Sequence, residues 1–152
     1  MDATEIHDLP FVDAHTSIVA APPDAVWRAI ADTVDHHFAN RPAAVAARLL
    51  GCADRSPTPG FPVVTAEPGN ELALAGSHRF STYALVFRLE EATKGHTRVR
   101  AETRATFPGP AGRLYRLLVI GTRGHELAVR RMLTTVRKRA LQGRGELRDE
   151  PR

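Results

Sequence analysis

Apolar and polar positions alternate from Val12 to Ala20, with Val12, Ala14, Thr16, Ile18 and Ala20 on one side and Asp13, His15 and Ser17 on the other. A period of two predicts a strand, and the more apolar set is expected to face the core. The pattern stops at Pro22-Pro23-Asp24, where prolines suit a first helical turn and the acid complements the helix dipole. From there Val26, Trp27, Ile30 and Val34 recur at helical spacing on one stripe, with Trp27 read as core. A second short helix is expected from Pro42 to Leu50, stopped by Gly51, and Ser56-Pro57-Thr58-Pro59-Gly60 reads as a loop.

The signal then becomes β. Short strands are expected over Phe61 to Glu67 and Glu71 to Ala75, turned by Pro68-Gly69-Asn70. A longer one follows from Arg79 to Leu89, with Tyr83, Leu85, Phe87 and Leu89 on one face. Lys94-Gly95 reads as a hairpin turn. On the return strand Val99, Ala101, Thr103, Ala105 and Phe107 alternate with Arg98, Arg100, Glu102, Arg104 and Thr106, so one face is expected packed and the other wet.

Past Phe107-Pro108-Gly109-Pro110, a single long helix is expected from Ala111 to Leu141. Leu114, Leu118, Gly121, His125, Ala128, Met132 and Val136 share one stripe, and Arg116, Arg123, Arg130 and Arg137 run down the far side. This order predicts an α+β fold, in which a curved antiparallel sheet wraps around the long C-terminal helix and two shorter helices follow the first strand. Residues 1–10 read as an N-terminal extension, 11–141 as one domain and 142–152 as a frayed tail.

Composition narrows the class without naming an activity. The chain has 152 residues, 43% hydrophobic and 25% charged, which suits one globular domain. No apolar run, Leu117 to Ile120 included, approaches the length of a membrane span. The acidic start lacks the apolar core of a secretory signal, and the single cysteine, Cys52, excludes an internal disulfide. Both point to a cytoplasmic protein. Charge is uneven: residues 1–40 carry a net of −6 and residues 113–152 a net of +7. A basic end can meet nucleic acid or an anionic membrane, or be a solvated face.

The run Ile18-Val19-Ala20-Ala21-Pro22-Pro23-Asp24-Ala25-Val26-Trp27, followed by the amphipathic closing helix, resembles the START-like superfamily, also called SRPBCC, with its helix-grip fold. The resemblance covers about residues 11–141. It departs in showing five strands where the family usually shows six or seven, and in a longer Asp35 to Gly60 stretch. It implies a cavity between sheet and C-terminal helix that takes lipids, sterols, polyketides or other polycyclic compounds. Some members of that family are aromatase/cyclases.

Within that frame His125 is the sharpest feature, placed mid-stripe beside Gly121 and Gly124. An imidazole there either lines a ligand site and moves protons, or is a core histidine held by a strand hydroxyl or carbonyl. Tyr83 and Thr103 lie on apolar strand faces, so their polar tips need partners or a ligand. His78 either faces the same space or sits in a turn. With Gly121 and Met132 these make the candidate ligand-binding set.

No metal is expected. His36 and His37 cannot meet one ion from a regular helix, and Val129 stands where a zinc-peptidase helix opened by His125-Glu126 would need histidine. No phosphate loop, nucleophile elbow or dinucleotide fingerprint appears, and no cofactor is implied. The primary expectation is a binder of a small, largely hydrophobic molecule. The alternatives are a cyclase/dehydratase-type enzyme using His125 and Tyr83, and a basic-helix module for an anionic partner. Nucleic acid is disfavoured, because no aromatic interleaves with the arginine stripe.

Overall fold

The computed structural model describes residues 3–38 and 61–146. The expected helix at Pro42 to Leu50, the Ser56 to Gly60 loop and Cys52 lie outside the described residues. In chain order the elements are α1 (Ala3–Asp8), β1 (Phe11–Val19), α2 (Pro23–Phe38), β2 (Val63–Glu67), β3 (Glu71–His78), β4 (Ser81–Thr93) and β5 (His96–Thr106). They are followed by α3 (Gly109–Arg116), a π turn (Leu117–Gly121) and α4 (Gly124–Glu146).

The strands form a curved antiparallel sheet in the order β1-β5-β4-β3-β2. The two expected turns form as read: Gly69 and Gly95 hold φ of +78° and +76°, the left-handed region that glycine enters without a Cβ penalty. On the inner face α2 and α4 cover the sheet. Val26, Ile30, Phe87, Val99, Leu133 and Val136 are buried in one cluster, and Trp27 packs partly buried against it. Each large aliphatic or aromatic side chain hidden this way contributes about 1.5–3 kcal/mol. The Thr97 hydroxyl, fully buried, donates to the Ala21 carbonyl at 2.7 Å and fixes the corner between β1 and α2.

Three expectations change. First, the parity of β1 is reversed. Asp13, His15 and Ser17 pair with Thr103, Ala101 and Val99, the inward residues of β5, and therefore look toward the core. Ile18, expected inside, is 54% exposed. Side chains of an edge strand follow the face set by their partner. The buried set on β5 outweighs the few apolar side chains of β1.

Second, the outer face is not simply wet. α1 lays Ile6 on Ala73, Ala75, Ala84 and Val86 as a second small core. Glu102 is buried beside it. Arg104 donates from Nε to Glu102 Oε1 at 2.6 Å and from one terminal nitrogen to the carbonyls of His7 and Leu9 at 2.7 and 3.0 Å. One guanidinium thus satisfies a buried carboxylate and closes the end of α1, where orphan carbonyls favour a cation.

Third, the single long helix is broken. Gly121 and Gly124 are poor helix formers, and the Thr122 hydroxyl donates back to the Leu118 carbonyl. Between them Arg123 takes φ +58°, a left-handed conformation costly for a residue with a Cβ. The break interrupts the expected stripe, of which Met132 and Val136 are buried as the pattern predicts. Leu114, Leu118, Gly121 and Ala128 are exposed, while Val129, Met132, Leu133, Val136 and Ala140 are buried. Arg116, Arg123, Arg130 and Arg137 are all exposed, as the pattern predicts.

Candidate functional site

Cross-strand pairing sets the inner face of the sheet in rows. Asp13 stands opposite Thr103, and Thr103 opposite Leu85; the next row is His15, Ala101 and Phe87. Restarting the helix at Gly124 brings His125 over the first of these rows. Its Nε2 lies 2.9 Å from Thr103 Oγ1 and 3.6 Å from Asp13 Oδ1. His15 Nε2 lies 3.4 Å from Asp13 Oδ2. Only the Thr103 contact has the length of a well-formed hydrogen bond; the other two are long.

The expectation of a histidine held by a strand hydroxyl is therefore met at Thr103. What the sequence reading missed is the polar pair beside it. Asp13 Oδ1 and His15 Nε2 are both buried, and neither finds a hydrogen-bond partner among the described residues. The signal is present in the sequence, as an Asp and a His two apart on one face of a strand, but the alternation alone places that face toward solvent.

Electrostatics set the protonation of His125. Burial pushes its imidazole below the ordinary 6.5, the nearby Asp13 carboxylate pulls the other way, and His15 adds to the lowering. Burial prevails, so the ring is neutral at neutral pH. A neutral imidazole beside a carboxylate can accept a proton from a bound group, and the carboxylate would stabilise the cation formed.

Tyr83 and His78 belong to a separate group where β3 and β4 meet α3. His78 ends β3 rather than occupying the turn, which falls on Arg79 and Phe80. Its ring centre is 5.5 Å from Tyr83 and 5.0 Å from Tyr115, and Tyr83 is 4.7 Å from Phe61. The Phe80 backbone N–H donates to His78 Nδ1 at 3.2 Å, which requires that nitrogen unprotonated; burial lowers the ring's pKa in the same sense. This group seats α3 on the sheet end, helped by Gly112. A Cβ there would stand 2.7 Å from the Phe107 carbonyl carbon.

Of the expected site residues, His125 and Thr103 are brought together. Tyr83 and His78 meet each other at the sheet end. Met132 lies in the main core, two helical turns beyond His125, and Gly121 is exposed in the π turn. Among the described residues no group of three His, Cys, Asp or Glu side chains is placed to hold a metal ion. No helix among them is long and apolar enough to cross a membrane.

No family model matches the chain, and no curated protein matches it in sequence. Solved structures match its fold. One is the protein TTHA0849 from Thermus thermophilus, at 17% identity and TM-score 0.54, covering 88% of this chain and 99% of that one. A conserved protein from Geobacillus kaustophilus matches at 10% identity and TM-score 0.52, over 85% and 94% of the two chains. The di-domain ARO/CYC BexL from the BE-7585A biosynthetic pathway matches at 13% identity and TM-score 0.53, over 84% of this chain and 45% of BexL. At such identities the likeness is one of fold: a sheet wrapped around a C-terminal helix.

Proposed function

We propose that the protein binds a small, largely hydrophobic molecule between the inner face of its sheet and the start of α4, at the level of His125. The observation that carries this reading is the pair of buried polar atoms without partners among the described residues, Asp13 Oδ1 and His15 Nε2. Polar atoms buried in an apolar layer are costly unless paired, and an entering ligand is the partner they lack. The inward side chains at Thr103, Ala105 and Gly76 are short, whereas the end near Val19 and Val99 is filled by α2 and α4. On this reading Met132, Tyr83, His78 and Gly121 would be outlying neighbours of the ligand, with His125 and Thr103 nearest to it. No cofactor and no nucleic acid enters this reading. The likeness to an ARO/CYC fold supports a small-molecule ligand in general terms.

The test is titration with the neutral fluorescent probe N-phenyl-1-naphthylamine. Saturable binding with one site per chain is expected, and His125→Trp, which fills the space, should abolish it. Absence of saturable binding to the native protein would contradict the reading.

A second reading is proton transfer on the bound molecule. Its support is the neutral His125 with Asp13 at 3.6 Å, which would take the partner role that the sequence reading gives to Tyr83. Turnover would then rise with pH as His125 loses its proton, and would disappear in His125→Ala.

A further inference from the structure

Resting on the ligand-binding reading above, we propose that Asp13 and His15 together select a hydroxyl group on the ligand, an alcohol, phenol or enol carried by the apolar molecule. Asp13 Oδ1 and His15 Nε2 are buried with no hydrogen-bond partner among the described residues, and the two side chains lie 3.4 Å apart at Oδ2 and Nε2. An ionised carboxylate only accepts, while a neutral imidazole nitrogen donates or accepts according to tautomer. A hydroxyl answers both at once, donating its hydrogen to Asp13 and accepting from the His15 Nε2–H.

Other groups answer less. A ketone, ether or ester only accepts and leaves Asp13 Oδ1 unpaired. An ammonium only donates, and it would bring a second charge into a site walled by the apolar Leu85, Ala101 and Phe87. His125 Nε2 already has a hydrogen bond to Thr103 at 2.9 Å, unlike Asp13 Oδ1 and His15 Nε2. The Asp13 carboxylate has His125 Nε2 3.6 Å from Oδ1 and His15 Nε2 3.4 Å from Oδ2.

The experiment compares three probes of nearly the same shape at neutral pH: 2-naphthol, 2-methoxynaphthalene and naphthalene. Dissociation constants come from calorimetry on the full chain. The native protein is expected to bind 2-naphthol about tenfold or more tightly than either other probe, the scale of a hydrogen bond to a charged group. Asp13→Leu should bring the three constants together, and His15→Leu should reduce the preference independently. Using both variants guards against one failing to fold, which circular dichroism reports.

Equal binding of all three probes by the native protein would overturn hydroxyl selection and leave the apolar site standing. A preference for 2-naphthol that survives in both folded variants would overturn it too. Binding of none of the three would remove the ligand-binding reading itself, and this inference with it.

Discussion

Thr103 Oγ1 and His125 Nε2, on the fourth residue from the end of β5 and the second residue of α4, meet at 2.9 Å across the inner face of the sheet. This contact fixes where the C-terminal helix restarts after its break. It also leaves the Asp13 carboxylate beside His125 without a short hydrogen bond of its own to that ring. Thr103→Val should therefore destabilise the fold by roughly 1–3 kcal/mol, because a mostly buried imidazole loses its best partner. Urea unfolding checks this, with the slope unchanged and the midpoint lowered. Thr103→Ser should restore most of the loss.

Acidification should weaken the fold through the same histidine. In the unfolded chain His125 takes a proton near 6.5, while burial in the native state holds it neutral to lower pH. Below 6.5 the unfolded chain then binds more protons, so stability falls as pH falls through the native pKa. His78 acts in the same direction, also through burial. Unfolding midpoints should decline as pH falls below 6.5, and His125→Gln should flatten that decline. A midpoint that rises on acidification would contradict this assignment.

Glu102 governs a lower window. Burial alone would raise its carboxyl, but the hydrogen bond and charge of Arg104, aided by Arg100 and Arg88, hold it below the ordinary 4.5. Its contribution is present above 4.5 and is lost as pH falls through the native value. Arg104→Met should reduce this acid-dependent loss and loosen α1, because the same guanidinium donates to the His7 and Leu9 carbonyls. Hydrogen exchange of the α1 amides reads the second effect.

Two glycines should respond oppositely to alanine. At Gly112 a Cβ would stand 2.7 Å from the Phe107 carbonyl carbon and 3.0 Å from the Phe80 oxygen, both backbone atoms that cannot swing away. Gly112→Ala should cost roughly 1–3 kcal/mol. At Gly121 the nearest atom is the Leu117 Cδ2 at 4.0 Å, so Gly121→Ala should be neutral or gain up to ~1 kcal/mol in helix propensity. Thermal melting should place Gly112→Ala below the native protein and Gly121→Ala at or above it.

The exposed arginines of the C-terminal segment are expected to be electrostatic decoration. Removing Arg116, Arg123, Arg130 and Arg137 in pairs should change stability by no more than about 1 kcal/mol, even though Arg130 pairs with Glu126 at 2.8 Å. Salt-dependent binding of the native protein to anionic vesicles, lost in the paired variants, would contradict this.

The parts of this fold that are legible in the sequence are those where one local pattern decides the outcome. The alternation on β5, the Pro-Pro start of α2 and the glycine turns at Gly69 and Gly95 all form where the residues indicate. The reversed parity of β1 is not legible, because its own alternation points the other way and only the pairing with Thr103, Ala101 and Val99 overrides it. The helix break is half visible in Gly121 and Gly124, but the exposure of Leu114 and Leu118 ahead of it depends on the left-handed Arg123. His125 and Thr103 stand out as polar residues in apolar stripes. Asp13 and His15 do not, since a strand assigned to the wrong face hides its inward polar residues among the solvated ones.

Binding of a hydrophobic molecule between sheet and helix at the level of His125 is tested by intermolecular nuclear Overhauser contacts from bound N-phenyl-1-naphthylamine. The account predicts contacts to the Thr103 and Met132 methyl groups and to the His125 ring. Contacts confined to Leu114, Leu117 and Leu118, which are 61%, 67% and 59% exposed, would place the probe on the outer surface and contradict the claim.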